Sequence, residues 1–200
     1  MTKIRQEPQS VFLNIPFDKK YEPLFVTLIA SVVCLGLKPR CVLEIREGGQ
    51  GRLDRIQSLI ESCDVSIHDL SRVGLPVRFN MPFELGLAHG RAKYAPRHEI
   101  IVLDSKLYRL DCTLSDYKGR DPLIHHNTCN GLVTCILDAF VTDGKPTPSP
   151  AVRRVAKLLR KTFREHKRQE GLKDMYGRAA YKVLVSAAAA LAVSEGLIAP

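Results

Sequence analysis

The stretch RFNMPFELGLAHG (78–90) places one carboxyl group, Glu84, among apolar side chains. Asn80 and Pro82 are typical of a helix start, where a Glu complements the helix dipole by a few tenths of a kcal/mol up to ~1. The alternative is a functional carboxylate, since one held beside Met81 is partly desolvated, a common setting for catalytic groups. The stretch alone leaves both interpretations open.

Other residues that could do chemistry follow or begin predicted elements. SCDVSIHDLS (62–71) contains Asp64, His68 and Asp69, and of the two carboxylates only Asp69 lies near the carboxyl end of a strand. GGQGR (48–52) could offer backbone N–H groups and Arg52 to a phosphate at a helix start, although three glycines are more often a plain turn. A single His on a strand is more often structural than a base.

Alternating strands and helices position these residues. Apolar, β-rich segments predict strands at 10–17, 39–45, 63–71 and 98–104, and 3.6-residue periodicity predicts helices at 21–35, 52–62, 81–94 and 121–140, with 105–120 irregular. This alternation predicts an α/β fold, a doubly wound parallel sheet. Ligands of such sheets bind beyond the carboxyl ends of the strands. We therefore expect one crevice to gather residues 14–21, 47–52, 68–72, 80–84 and those from 104 onward.

Composition narrows the class of protein. The 45% hydrophobic content over 200 residues suffices for one sizeable core. The sequence contains no run of 18 apolar residues, so we predict no membrane-spanning helix. The six cysteines are scattered without a C-x-x-C pair, which predicts neither a zinc site nor a disulfide scaffold. We predict a reduced, cytoplasmic protein with no metal and no cofactor.

The net charge of +9 is concentrated near the carboxyl terminus. Residues 145–200 carry 12 Lys/Arg against 4 Asp/Glu, whereas residues 1–144 carry 18 against 17. We predict an α/β domain at 1–143, a proline-rich linker at 144–150 and a basic helical extension at 151–200, with helices at 151–170 and 177–200. The cations at 153–173 could contact nucleic acid, or they could be a solvated face. The apolar last helix favours a homo-oligomer or a partner protein.

Three segments, in order and spacing, carry a resemblance to a known group. VFLNIPFDKKYEPLF, GRLDRIQSLIESCDVSIHDLS and RFNMPFELGLAHG resemble the nucleoside 2-deoxyribosyltransferase-like proteins, which shade into the TIR-like N-glycosidases of bacterial antiphage defence. The shared elements are an F-x-x-x-P-F strand end, an I-x-x-(S/C)-D strand and an E-L-G-x-A helix that bears the catalytic Glu. The resemblance covers about residues 10–104, and it implies a flavodoxin-like fold and cleavage of an N-glycosidic bond.

The resemblance also implies a set of site residues. Glu84 would be the catalytic carboxylate and Asp69 would orient the ribose. The substrate-binding residues would be Asn14, Pro16, Phe17, Tyr21, Arg52, Asp64, Arg78, Asn80 and Met81. His68, Asp116, Asp121 and His125 could complete the site. Deoxyribosyltransferases carry an Asp at the position of Arg78, so the substrate stays open.

The chemistry implied is hydrolysis through an oxocarbenium-like sugar. A nucleoside base usually leaves after protonation, for which Asp69 or His68 could be the acid, whereas the nicotinamide of NAD leaves without an acid. With Arg78 in place of a second carboxylate, we expect NAD or a related nucleotide, with Arg78 or Arg52 on a phosphate. The alternatives are a non-catalytic nucleotide-binding sensor and a nucleoside deoxyribosyltransferase.

Overall fold

One parallel sheet forms the centre of the protein. The computed structural model describes residues 9–45, 51–72, 79–95, 98–141, 146–169 and 175–200. Its strands are β1 (Ser10–Asn14), β2 (Lys38–Arg40), β3 (Val65–Asp69), β4 (Glu99–Asp104) and β5 (Leu123–Ile124). Every adjacent pair is parallel, and the spatial order is β2-β1-β3-β4-β5. This is the flavodoxin-like order, so the predicted fold class is confirmed.

The helices form two groups around the sheet. They are α1 (Glu22–Cys34), α2 (Arg52–Ser62), α3 (Asn80–Tyr94), α4 (Arg109–Thr113), α5 (Cys129–Ala139), α6 (Ser149–Gln169) and α7 (Arg178–Ser194). Helices α2 and α3 contact each other and the sheet, while α1, α5, α6 and α7 pack together as the second group. None of the described helices is long and apolar enough to cross a membrane.

Helix α1 is enclosed on all sides. Every residue from Leu24 to Cys34 is buried, whereas a helix with one solvent-facing side would show a buried stripe only. The reason is that α6 and α7 cover the side of α1 that would otherwise face water. Leu159 of α6 and Leu184 of α7 are fully buried in the same hydrophobic core as the strands. The predicted division of the chain at 144–150 stays a prediction.

Several predicted boundaries are wrong. The predicted strand 39–45 ends at Arg40 and is followed by a 3-10 turn at Val42–Glu44. The region 105–120 contains the short helix α4, and α6 begins at Ser149, inside the predicted linker. Strand β5 was not predicted, because two residues are too few to show an alternating pattern.

The strand register sets which residues share a face at the carboxyl edge. Asn14 of β1 is the register partner of His68 of β3, so their side chains lie on one face of the sheet. Side chains alternate along a strand, which places the neighbouring Asp69 on the opposite face. The two candidate groups of β3 therefore belong to different surroundings.

Candidate functional site

Polar side chains at the ends of four strands lie at the carboxyl edge of the sheet, as the fold class predicts. Asn14 ends β1, Asp69 ends β3, Asp104 ends β4 and His125 follows β5 directly. All four side chains are buried, with exposures of 2% or less. Buried polar groups need hydrogen-bond partners, so the contacts of each determine what it can do.

Glu84 is the buried carboxyl group of α3. It is the fifth residue of the helix and only 5% exposed, and no acidic residue lies in the first turn. The interpretation of Glu84 as a partner of the helix dipole is therefore wrong, because the dipole effect falls off within the first turn. Asn80 is the first helical residue and not the N-cap, which is Phe79. The sequence had suggested Asn80 as the cap.

Burial dominates the electrostatics of Glu84. It raises the pKa of the carboxyl group from the ordinary 4.5 to about 7, and it outweighs the opposing effects of the Arg52 charge and of a hydrogen bond with the Asn80 side chain. The two opposing groups are both exposed. The carboxyl group therefore changes its charge near neutral pH, as groups that exchange charge with a substrate commonly do.

Asp69 lies in a different cluster, with Tyr21 and His125. The Tyr21 hydroxyl donates to Asp69 Oδ2, and the Ser71 N–H donates to Oδ1 over 2.8 Å. His125 Nε2 lies 3.2 Å from Oδ2. Burial acts to raise the pKa of Asp69, but His125, Ser71 and Tyr21 together hold it below its usual value. Asp69 is therefore ionised and cannot be the proton donor that the sequence suggested.

The turn after β5 holds His125 in place. His126 and Asn127 have positive φ values of 53° and 54°, and the Asn127 N–H donates to His125 Nδ1 over 3.1 Å. That contact leaves the ring proton on Nε2, the atom that faces Asp69. Gly131 is required nearby, because a Cβ there would lie 2.4 Å from the His125 carbonyl oxygen.

His68 belongs to a buried chain of hydrogen bonds. Asn14 Nδ2 donates to Met81 O over 3.1 Å, which identifies that end of the amide as the NH₂ group. The same nitrogen lies 2.9 Å from His68 Nδ1, and His68 Nε2 lies 3.0 Å from Ser66 Oγ. Because Asn14 donates, His68 Nδ1 accepts and its proton is on Nε2.

The chain continues to His98 and ends at a backbone carbonyl. Ser66 Oγ lies 3.0 Å from His98 Nε2, and His98 Nδ1 lies 2.9 Å from Cys63 O. Cys63 O only accepts, so His98 carries its proton on Nδ1 and the Ser66 hydroxyl donates to Nε2. Burial and the two nearby histidines lower the pKa of His68 to about 3. His68 is thus neutral and is not a general acid.

Three buried oxygens at the edge have no hydrogen-bond partner among the described residues. They are Asn14 Oδ1, Ser71 Oγ and Ser105 Oγ, which follow or end β1, β3 and β4. The contact of Asn14 Nδ2 with Met81 O fixes the amide, so the unpartnered atom is an acceptor. An unpaired buried polar group costs about 1–3 kcal/mol, which a hydroxyl or N–H of a ligand would recover.

Arg109 is a residue of the edge that the sequence did not reveal. Its guanidinium group pairs with the buried Asp104 carboxylate and donates to Leu70 O over 3.2 Å, which joins the ends of β3 and β4. Ser66 and His98 were also missed, although Ser66 lies two residues before His68 and shares its face of the strand. Ser71 and Ser105 lie within the ranges expected at the crevice but were not singled out.

The other predicted site residues are spread over the structure. Pro16 is buried, and Phe17 packs edge-on against Tyr176 with ring centroids 5.3 Å apart. Arg52 is exposed beside Glu84 and also lines a cleft of about 380 Å³ with Arg55 and Arg178. The remaining residues of that cleft are Val42, Leu43, Ile45, Tyr176 and Gly177.

Asp64 does not belong to the crevice. It precedes β3 at the opposite, amino edge of the sheet, where its carboxylate accepts the Ser10 N–H over 3.1 Å. Its assignment to substrate binding is therefore wrong on position. Asp116 and Asp121 are exposed residues of the segment between β4 and β5. Arg78 lies outside the described residues.

Comparison with known proteins adds little to this geometry. No protein-family model and no curated protein matches the chain. Among solved structures, the chain is similar to the CMP N-glycosidase BcmB of Clostridium botulinum, with 18% sequence identity and a TM-score of 0.44 over 66% of this chain and 100% of that chain. Values this low carry no argument about chemistry, which rests on the contacts described above. The resemblance to the deoxyribosyltransferase-like group stays a prediction.

Proposed function

We propose that the chain hydrolyses the N-glycosidic bond of NAD or a related nucleotide, with Glu84 as the catalytic carboxylate. The observation that carries this proposal is the buried Glu84 carboxyl group with its pKa of about 7, in a helix whose first turn is hydrogen-bonded to Asn14 at the carboxyl end of β1. A desolvated carboxylate interacts strongly with a developing positive charge, because water does not screen it.

The reaction suits one such group. The bond from the sugar carbon to the base nitrogen breaks and its electron pair leaves with the base, so positive charge develops on the sugar. Glu84 either stabilises that charge or forms a temporary ester with the sugar carbon. Water then adds to the same carbon and releases a proton, which completes the hydrolysis.

The protonation states at the edge support a cationic leaving group. Neither residue that the sequence suggested as an acid can protonate a neutral base, because Asp69 is ionised and His68 is neutral with a pKa of about 3. Nicotinamide in NAD is already positively charged at the ring nitrogen, so it departs as a neutral molecule without an acid. NAD therefore fits the described residues better than a nucleoside.

Polar groups near the start of α3 support a nucleotide. Asn14 Oδ1 could accept a hydrogen bond from a ribose hydroxyl. The hydrogen bond from Asn14 Nδ2 to the Met81 carbonyl, in the first turn of α3, fixes the orientation of the amide. Arg52 lies close enough to Glu84 for its charge to lower the pKa of the carboxyl group. Arg52 also lines a cleft together with Arg55 and Arg178. Arginine side chains are well suited to phosphate oxygens. We propose that this cleft receives the phosphates.

Product analysis tests the proposal. Purified protein is incubated with NAD, nucleotides and nucleosides, and released bases are separated by chromatography. We expect nicotinamide from NAD, with release lowered by at least 10²-fold in Glu84→Gln, the order of a lost charge-stabilising group. Glu61→Gln, which removes an exposed carboxylate from α2, is the matched control and should retain activity.

Three results would contradict the assignment. Base release that survives Glu84→Gln would exclude Glu84 as the catalyst. Binding of NAD or a nucleotide without turnover, unaffected by Glu84→Gln, would favour the alternative of a nucleotide-binding sensor. Transfer of the sugar to a second base in place of water would favour a deoxyribosyltransferase. A role in antiphage defence and an oligomeric state stay predictions.

A further inference from the structure

The outer face of α6 carries a continuous basic stripe. We use this name for Arg153, Lys157, Lys161, Arg164 and Arg168, which follow one another at spacings of four, four, three and four residues. Residues at these spacings lie on one face of a helix. At 1.5 Å per residue the stripe is about 22 Å long. The opposite face, with Val155 and Leu159, is buried in the core.

Most of this charge has no partner among the residues that the structure describes. The cations that flank the stripe have partners: Arg154 pairs with Glu195 at 2.8 Å, Lys167 pairs with Glu22 at 3.2 Å, and Arg160 donates to Thr27 Oγ1 over 2.7 Å. Within the part of the chain that the structure describes, the stripe forms no ion pair. Among the described residues its one side-chain hydrogen bond runs from Arg153 to Thr134 Oγ1 over 3.2 Å.

Helix α6 itself carries little negative charge. The only acidic residue in α6 is Glu165, which lies at the border of the stripe, one turn beyond Lys161. Like charges on successive turns repel one another, so five neighbouring cations destabilise the isolated helix slightly. An anionic partner would remove that repulsion.

We propose that the basic stripe binds the phosphate backbone of a nucleic-acid duplex. Three of its five residues are arginines, whose forked donors suit phosphate. A membrane-surface helix needs an apolar face to insert, whereas the apolar face of α6 is already packed against the core. Binding of single strands relies on exposed aromatic rings, and the only aromatic residue of α6, Phe163, is buried.

The salt dependence of binding tests this assignment. Each phosphate contact with B-DNA contributes about 0.9 to the slope of log K against log[salt], so five contacts predict a slope of about −4.5. Affinity of the full chain for a labelled 25-bp duplex should then fall about 500-fold between 50 and 200 mM salt. The triple variant Lys157→Gln, Lys161→Gln, Arg164→Gln should fall only about 10-fold over the same range.

A matched control separates position from net charge. Lys38→Gln, Lys93→Gln, Lys118→Gln also removes three exposed cations, but from β2, α3 and the segment after α4. It should keep the wild-type slope. Equal slopes for the two triple variants would overturn the proposal, as would a stripe-dependent binding to phosphatidylserine vesicles with no binding to the duplex. Thermal unfolding of both variants checks that each is folded.

Discussion

Replacing Glu84 by Gln should stabilise the protein at alkaline pH while abolishing its activity. In the unfolded chain the carboxyl group ionises with the ordinary pKa of 4.5, whereas burial raises its folded pKa to about 7. Between these values the folded state binds a proton that the unfolded state has lost, so this group lowers stability as the pH rises. A difference of 2.5 pKa units corresponds to about 3 kcal/mol at pH 8.

Urea denaturation of the two proteins at pH 8 and pH 4.5 measures this effect. The amide side chain keeps the shape of the protonated acid and has no charge, so Glu84→Gln should unfold with a free energy about 3 kcal/mol higher at pH 8. At pH 4.5 the difference should shrink to below ~0.5 kcal/mol. For a chain of this length, 3 kcal/mol corresponds to a rise in Tm of roughly 6–12 °C.

The comparison has its own control. Other titrating groups are shared by both proteins, so their effects cancel in the difference. Glu61→Gln, at an exposed position, should give nearly the same small change at both pH values. The reasoning is refuted if Glu84→Gln is less stable than the wild type at pH 8, or if the difference between them is independent of pH.

Base release should rise with pH and reach half its maximum near pH 7, because only ionised Glu84 stabilises the sugar cation; a flat profile from pH 6 to 8 would argue against that role. Tyr21→Phe removes a donor to ionised Asp69 and should lower the free energy of unfolding by about 1.5–3 kcal/mol at pH 7, measured in urea. That loss should diminish as acid protonates Asp69, whose folded pKa is depressed; an unchanged stability would contradict the contact. Leu184→Ala should cost about 2–5 kcal/mol in a single transition seen by circular dichroism and fluorescence, because α7 shares the core of the sheet. A separate transition for residues 146–200 would disprove that coupling.

The sheet was predictable because β1, β3 and β4 lie in apolar segments that alternate with helices, whereas β2 (Lys38–Arg40) is not apolar and was found only through the apolar segment that follows it. That pattern gave the parallel arrangement and the edge where Asn14, Asp69 and Asp104 meet. Strand β5 was not predicted because its position depends on pairing with the end of β4, where Asp104 is the register partner of Ile124. A two-residue strand is defined by that long-range contact and not by its own sequence.

The site was only partly predictable from the sequence. Glu84 could be located by its apolar neighbours, but its pKa depends on burial that only the packed fold creates. The role of His68 could not be decided from the sequence, because it depends on contacts with Asn14 and Ser66. The contact with Asn14 joins residues 54 positions apart. Its neutral, structural role follows from hydrogen bonds that no local pattern encodes.

Comparison of Asp69 with Glu84 supports the proposal that Glu84 is the reactive group. Asp69 is the more deeply buried, at 0% against 5% exposure, yet its pKa is lowered while that of Glu84 is raised. Burial alone would give the reverse order, so the donors around each carboxylate decide the outcome. Asp69 has its charge stabilised by Tyr21, His125 and the Ser71 N–H. Glu84 has one hydrogen bond, with Asn80, and the charge of an exposed arginine. A bound cation would therefore lower the free energy more at Glu84 than at Asp69, and in the proposed reaction the sugar that becomes positive during bond cleavage would be that cation at the transition state.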